Sequence, residues 1–250
     1  QAAVRADDPH RRVLAPRRGQ HRAVSLRGTE RRLVALAQQS GGMGEQRFRI
    51  AIVDALRRAI GRQAHRSPVR ADRIDELEFT LPVDSAGVSP LTADRLARAF
   101  SEEATDEFVL DYAGRVAALG FPPLEGHLRG FIDLVFRHDG RFYLIDYKSN
   151  QLGPRRSDYE RPRLEASMLE HDYVLQYHLY TVALHRMLAA RLPDYDYETH
   201  MGGVYYLFLR GMMAEADDAN GIYFDRPPES LISALSLALG PASSSEEAVS

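Results

Sequence analysis

Residues 138–141 read His-Asp-Gly-Arg, with the apolar runs FIDLVFR before them and FYLIDYK after. Asp-Gly between such runs is a strong hairpin signal, because a type I′ turn needs φ > 0 at both central residues. The turn predicts two antiparallel strands, over about 129–137 and 141–148. With Asp139 and Gly140 as the loop, His138 pairs with Arg141, and counting back sets Asp133 opposite Asp146. Facing residues have Cβ atoms about 4.5–5.5 Å apart, and like charges there are destabilising. Period-2 alternation puts Phe131, Val135, Phe142 and Leu144 on the face of the two acids. Ile132, Leu134, Phe136, Tyr143, Ile145 and Tyr147 take the other face. Both faces read as buried, so desolvation adds to the repulsion.

Three resolutions are open: one carboxylate is protonated, a cation binds between the two, or the register differs. A purely structural arrangement is also open, with Asp146 paired to Lys148 and Asp133 bonded to backbone amides. A divalent cation resolves the repulsion best, since converging carboxylates form a hard-oxygen site suited to Mg²⁺. Lys148 lies two residues beyond Asp146 on the same face. Of 32 basic residues it is the one lysine; the other 31 are arginines. A lysine ammonium is a compact charge with a tunable pKa, which a guanidinium is not. A job that arginine cannot do accounts for its survival.

Around the hairpin the pattern is mixed. Residues 29–39 and 47–62 have helical spacing, 76–82 alternate as a strand, and 92–117 hold one or two helices with Thr92 as a cap. A Pro/Arg/Ser-rich loop follows Lys148. Then come a long helical stretch over 164–191, a buried strand within 202–211, and a short helix over 229–239. This order predicts an α/β fold, a mixed sheet with helices on its faces.

The net charge of -3 hides an asymmetry: residues 1–70 hold 16 arginines against five acids, about +11, and the rest carries about -14. A basic segment binds nucleic acid; a GC-rich coding bias explains it equally well. Cysteine is absent, which excludes disulfides and thiolate metal sites. No apolar run nears the roughly 20 residues of a membrane span, and the arginine-rich start does not read as a signal peptide. A cytoplasmic location is expected. The chain begins at Gln1, so a fragment of a longer protein is expected.

GFIDLVF and YLIDYKSN resemble the motif core of the PD-(D/E)xK nucleases, and most nearly the nuclease domain of the RecB family of helicase–nuclease subunits. IDELEFTLP, YVLQYHLYTVALHRML, DYDYE and GGVYYLFLRG extend the resemblance in the same order, over about 72–240. It implies a restriction-endonuclease-like core with a mixed central sheet flanked by helices. It implies a Mg²⁺-dependent exodeoxyribonuclease of the exodeoxyribonuclease V type, active in double-strand-break processing and recombinational repair. Asp133 and Asp146 would bind the catalytic Mg²⁺, with the backbone carbonyl of Tyr147 a further ligand. Asp146 and Lys148 would be catalytic. Gln176 and Tyr180 match the family's Q-x-x-x-Y motif; at i and i+4 they share a helix face and would contact DNA or orient the site. Glu78 is a weaker candidate. Implied partners are single-stranded DNA ends and RecC-like and RecD-like subunits, with no membrane. No G-x-x-x-x-G-K-[ST] loop occurs, so an ATP-driven motor is not expected in this chain.

The family also carries a metal-binding histidine upstream, in a G-T-x-x-H-like helix start. That pattern is not found: His21 has about the right spacing but not the surroundings, and His10 and His65 fit no better. The expected organisation is an arginine-rich segment over 1–70 that departs from the family, a nuclease domain over 71–242 and a flexible tail over 243–250. A frame error in the gene would explain the departure. A catalytically impaired module for DNA binding or complex assembly is the alternative reading. The missing histidine favours it, and the intact Asp133, Asp146 and Lys148 oppose it. A stand-alone endonuclease of the same fold is a third.

Overall fold

A computed structural model describes residues 73–83, 90–212 and 219–240. The expected helices over 29–39 and 47–62, His10, His21, His65 and the tail from 243 lie outside the described residues.

The turn forms as its residues dictate. Asp139 and Gly140 both take positive φ, 48° and 81°, and join β2 (Gly126–His138) to β3 (Arg141–Lys148). His138 faces Arg141 and Leu134 faces Ile145, the register that the turn predicts. β1 (Arg73–Val83) pairs antiparallel with β2. It runs past Pro82, which an edge strand tolerates because one row of its amides needs no partner.

β4 (Met201–Phe208) lies parallel to β3. A parallel pair needs a long crossover, here α3 (Arg161–Glu170) and α4 (Tyr173–Arg191). The expected single helix over 164–191 is in fact these two. The chain breaks at Asp172, which takes φ 54° and accepts a hydrogen bond from Tyr112 Oη at 2.9 Å. β5 (Ile222–Asp225) closes the sheet antiparallel to β4, giving the order β1-β2-β3-β4-β5. Sequence reasoning missed this four-residue edge strand, which is too short to show alternation.

Two helices follow β1, Ala93–Glu103 (α1) and Glu107–Ala117 (α2). Thr92 caps the first, its Oγ1 accepting from Arg95 N at 3.3 Å. A single turn, Tyr197–His200 (α5), leads into β4, and Glu229–Leu239 (α6) follows β5. The main core joins α1–α4 and α6 to one sheet face through Phe100, Tyr112, Leu164, Val182 and Leu235. The other face carries a second cluster, including Leu134, Phe136, Ile145, Tyr205 and Leu207.

The strict alternation expected for β2 does not hold. Leu77, Phe79, Leu81 and Ile132 join the main core, and so do Val135 and Leu144. The inward parity therefore slips between Ile132 and Val135. At that point β1 and β2 lack a pair where Glu76 would meet Asp133, and Glu76 takes φ 54°. Phe131, expected on a buried face, is 52% exposed.

Candidate active site

Four elements meet at the C-terminal end of β3. The β2–β3 ladder runs from the turn to Leu134 and Ile145, and Asp133 and Asp146 are the next residues along. The next amide of β3 facing β2 is that of Tyr147, and it donates to Asp133 Oδ2 at 3.0 Å. Asp133 thus closes the fork where the ladder ends.

Asp146 and Lys148 lie together on β3, with Lys148 reaching α4. They are 6% and 8% exposed, and Lys148 Nζ lies 2.6 Å from Asp146 Oδ1. Burial at this level is unfavourable for a charge without a partner, and the ion pair answers it. Lys148 Nζ also donates to Gln176 Oε1 at 2.9 Å. It stands 3.7 Å from the ring centroid of Tyr173 and 4.8 Å from that of Tyr206, a cation–π enclosure.

Gln176 ties the arrangement together. Its Oε1 accepts from Lys148 and from Tyr206 Oη, at 2.9 Å each. Its Nε2 donates to Tyr180 Oη at 2.9 Å, and the Tyr180 ring meets Phe79 of β1 edge to face at 5.5 Å. Burial raises the Tyr180 and Tyr206 hydroxyls well above the usual tyrosine range, with Asp146 adding to both. They stay protonated, as the Tyr206 donation requires.

The structure therefore brings Asp133, Asp146, Tyr147, Lys148, Gln176 and Tyr180 together. Glu78 stands apart: it is exposed and paired with Arg129. Tyr173 and Tyr206 escaped the sequence reading. For Tyr206 a signal existed, since a tyrosine inside a buried strand must find a partner for its hydroxyl. His178, on the same helix, is a core group: burial pushes it down to about 3, and its Nδ1 meets Val174 O at 2.8 Å.

The contacts of the purely structural arrangement are present, Asp146 on Lys148 and Asp133 on a backbone amide. They do not exhaust the site. Two carboxylates against one ammonium leave an excess negative charge, and each carboxylate has two oxygens that accept. The donor set is oxygen only, which fits Mg²⁺, an ion that keeps several waters and takes few protein carboxylates. Among the described residues no group of three or more His, Cys, Asp or Glu is placed to hold a metal. Asp133 and Asp146 are the carboxylates here that could hold such an ion.

A family model described as the PD-(D/E)XK nuclease superfamily matches residues 29–239. The chain is 49% identical over 162 residues to the RecBCD enzyme subunit RecB of Escherichia coli, covering 63% of this chain and 12% of that protein. To the protein of that name in Haemophilus influenzae it is 50% identical over 118 residues, 47% of the chain and 10% of the relative. To that of Mycobacterium tuberculosis it is 43% identical over 178 residues, 66% and 16%. The chain thus spans between 10% and 16% of the length of these relatives. No helix among the described residues is long and apolar enough to cross a membrane.

Proposed function

We propose, since the chain belongs to the PD-(D/E)XK nuclease superfamily, that residues 71–242 form a Mg²⁺-dependent nuclease domain of a RecB-like subunit. It hydrolyses phosphodiester bonds of single-stranded DNA at processed double-strand breaks. The observation that carries this reading is the pairing of the chain's one lysine, Lys148, with Asp146, where the β2–β3 ladder ends beside Asp133, inside the matched span.

Asp133 and Asp146, with the backbone carbonyl of Tyr147, would hold the Mg²⁺. When bound, the ion supplies a polarised phosphate oxygen and a water of lowered pKa. Lys148 holds the attacking water and offsets charge developing on the phosphate. Gln176 and Tyr180 are positioning residues in this scheme, because the lysine is steered through them; contact with the DNA strand is a further role for both. Affinity comes from backbone phosphates, so cleavage shows little base preference. RecC-like and RecD-like subunits are the proposed partners, the motor lies outside this chain, and the setting is cytoplasmic. The names of the relatives support the partner set.

The test compares Mg²⁺ with EDTA in the degradation of an end-labelled single strand. Lys148→Ala should lower the rate by about 10²–10³, the usual cost of removing one preorganised charge from a transition state. Equal rates for both proteins would refute the reading. Strand binding without any Mg²⁺-dependent cleavage by the unaltered chain would favour the non-cutting module.

A further inference from the structure

The loop leaving β3 contains a cleft that the scheme above does not use. Its volume is about 260 Å³, and its walls include Gly153, Arg155, Arg156, Tyr159, Arg210 and Gly211. One bond ties it to the site: Arg210 Nε donates to Ser149 O at 2.9 Å, and Ser149 directly follows Lys148.

The cleft is built rather than incidental. Arg155 N donates to Asp158 Oδ2 at 2.8 Å, and Leu152 N to Tyr159 Oη at 3.3 Å. Gly221 N donates to Tyr159 O at 2.9 Å. Gly211 lies so close to Tyr159 that any Cβ would collide with it. Among the described residues the acid here is Asp158, which is buried, and the amide of Arg155 holds its carboxyl below the usual range. The Arg155 side chain is 76% exposed and its guanidinium touches Asp158 Oδ1 through one nitrogen, at 3.4 Å, and Arg156 and Arg210 are exposed as well. Among the described residues, three cations stand against one carboxylate at this rim.

We propose that this cleft binds a backbone phosphate of the nucleic-acid strand whose neighbouring linkage lies at Asp146 and Lys148. The inference rests on the nuclease reading. Guanidinium groups match phosphate as planar forks, and such contacts set register without reading bases. The bond from Arg210 to Ser149 makes the grip on one phosphate a ruler for the next.

The experiment follows a fluorescein-labelled oligo-dT strand by anisotropy, across a salt series, with the full chain carrying Lys148→Ala so that nothing is cut. In Arg155→Gln/Arg156→Gln the affinity should fall about tenfold and the log K–log salt slope flatten by about one, given ~0.7 per phosphate contact on a single strand. Arg155→Lys/Arg156→Lys should keep the slope of the unaltered cleft. Unchanged affinity and slope in the glutamine variant would overturn the proposal. So would equal losses in both variants with no change of slope, since that is the mark of a folding defect. Cleavage by the chain with Lys148 intact is scored separately. Its absence with the cleft result intact would sink the nuclease reading and leave the phosphate site standing.

Discussion

Asp133 and Asp146 are the same residue type, each one residue beyond the last pair of one hairpin ladder, yet the fold treats them differently. Asp146 is buried and answers a buried ammonium at 2.6 Å. Asp133 is half-buried and holds a backbone amide at 3.0 Å, where the β2–β3 ladder ends and the β1–β2 pairing slips. The difference comes from the strands' neighbours. Beyond β3 lies β4, paired through Asp146↔Tyr206 and Lys148↔Phe208, with α4 across it. Beyond β2 lies only the edge strand β1, with its break at Glu76. One acid is thus part of the core's electrostatics, and the other belongs to an opening in the sheet.

The largest expected effect tests this contrast. In metal-free buffer, Asp146→Asn leaves the Lys148 ammonium buried without its counter-charge, so denaturant unfolding should show a loss of about 3 kcal/mol. Asp133→Asn keeps an amide oxygen for Tyr147 N–H, so it should change stability by less than about 1 kcal/mol. Added Mg²⁺ should raise the melting temperature of the unaltered chain and of neither variant, by the linkage of ligand to the folded state. Equal losses from the two substitutions would erase the distinction between the acids. A full Mg²⁺ response in Asp133→Asn would remove Asp133 from the metal site.

The two acids also divide what a sequence can tell from what it cannot. The register that brings both to the end of the ladder was legible because it hangs on a local signal: Asp139-Gly140 selects the turn, and the turn sets the pairing as far as Leu134 and Ile145. The Gln176–Tyr180 relation was legible for the same reason, an i,i+4 spacing on one helix. The slip at Glu76 was not, because positive φ in a glutamate has no local signature. Nor was the tyrosine enclosure of Lys148, since Tyr206 comes from the parallel strand β4 and Tyr173 from α4, and both depend on where a crossover of two helices lands. The break at Asp172 shares that origin, being fixed by Tyr112 from α2, 60 residues earlier. The fold class came through as a mixed sheet with helices, while His10, His21 and His65, none of which fits the family's upstream histidine pattern, lie outside the described residues.

The next effect in size concerns the link between the buried acid and the helix. Gln176→Leu keeps volume but strips the shared acceptor of Lys148 and Tyr206, leaving two enclosed donors short of a partner. Stability should fall by about 2 kcal/mol. Steady-state cleavage separates the two roles open to this glutamine. As a positioning residue its loss lowers kcat about tenfold with KM little changed. A rise in KM with kcat preserved would instead assign it to strand binding, and the Asp146 side of the site would then owe less to α4 than its hydrogen bonds suggest.

The smallest effect lies at the end of the same chain of bonds. Tyr180→Phe removes only the hydroxyl that accepts from Gln176 Nε2, while the ring keeps its edge-to-face contact with Phe79. The amide group has one donor to re-pair, and the acceptor that holds Lys148 is untouched. A loss of about 1 kcal/mol in stability and two- to threefold in kcat is expected. The hydroxyl stays protonated throughout the working pH range, because burial raises it. The ratio of variant to unaltered kcat should therefore be flat from about pH 6 to 9, a range that ends below even the unperturbed tyrosine value of about 10. A ratio that changes with pH, or a loss as deep as that of Gln176→Leu, would mean that this hydroxyl meets the substrate or a proton in flight. The polar chain from Asp146 would then reach across to β1 and to the fork that Asp133 closes.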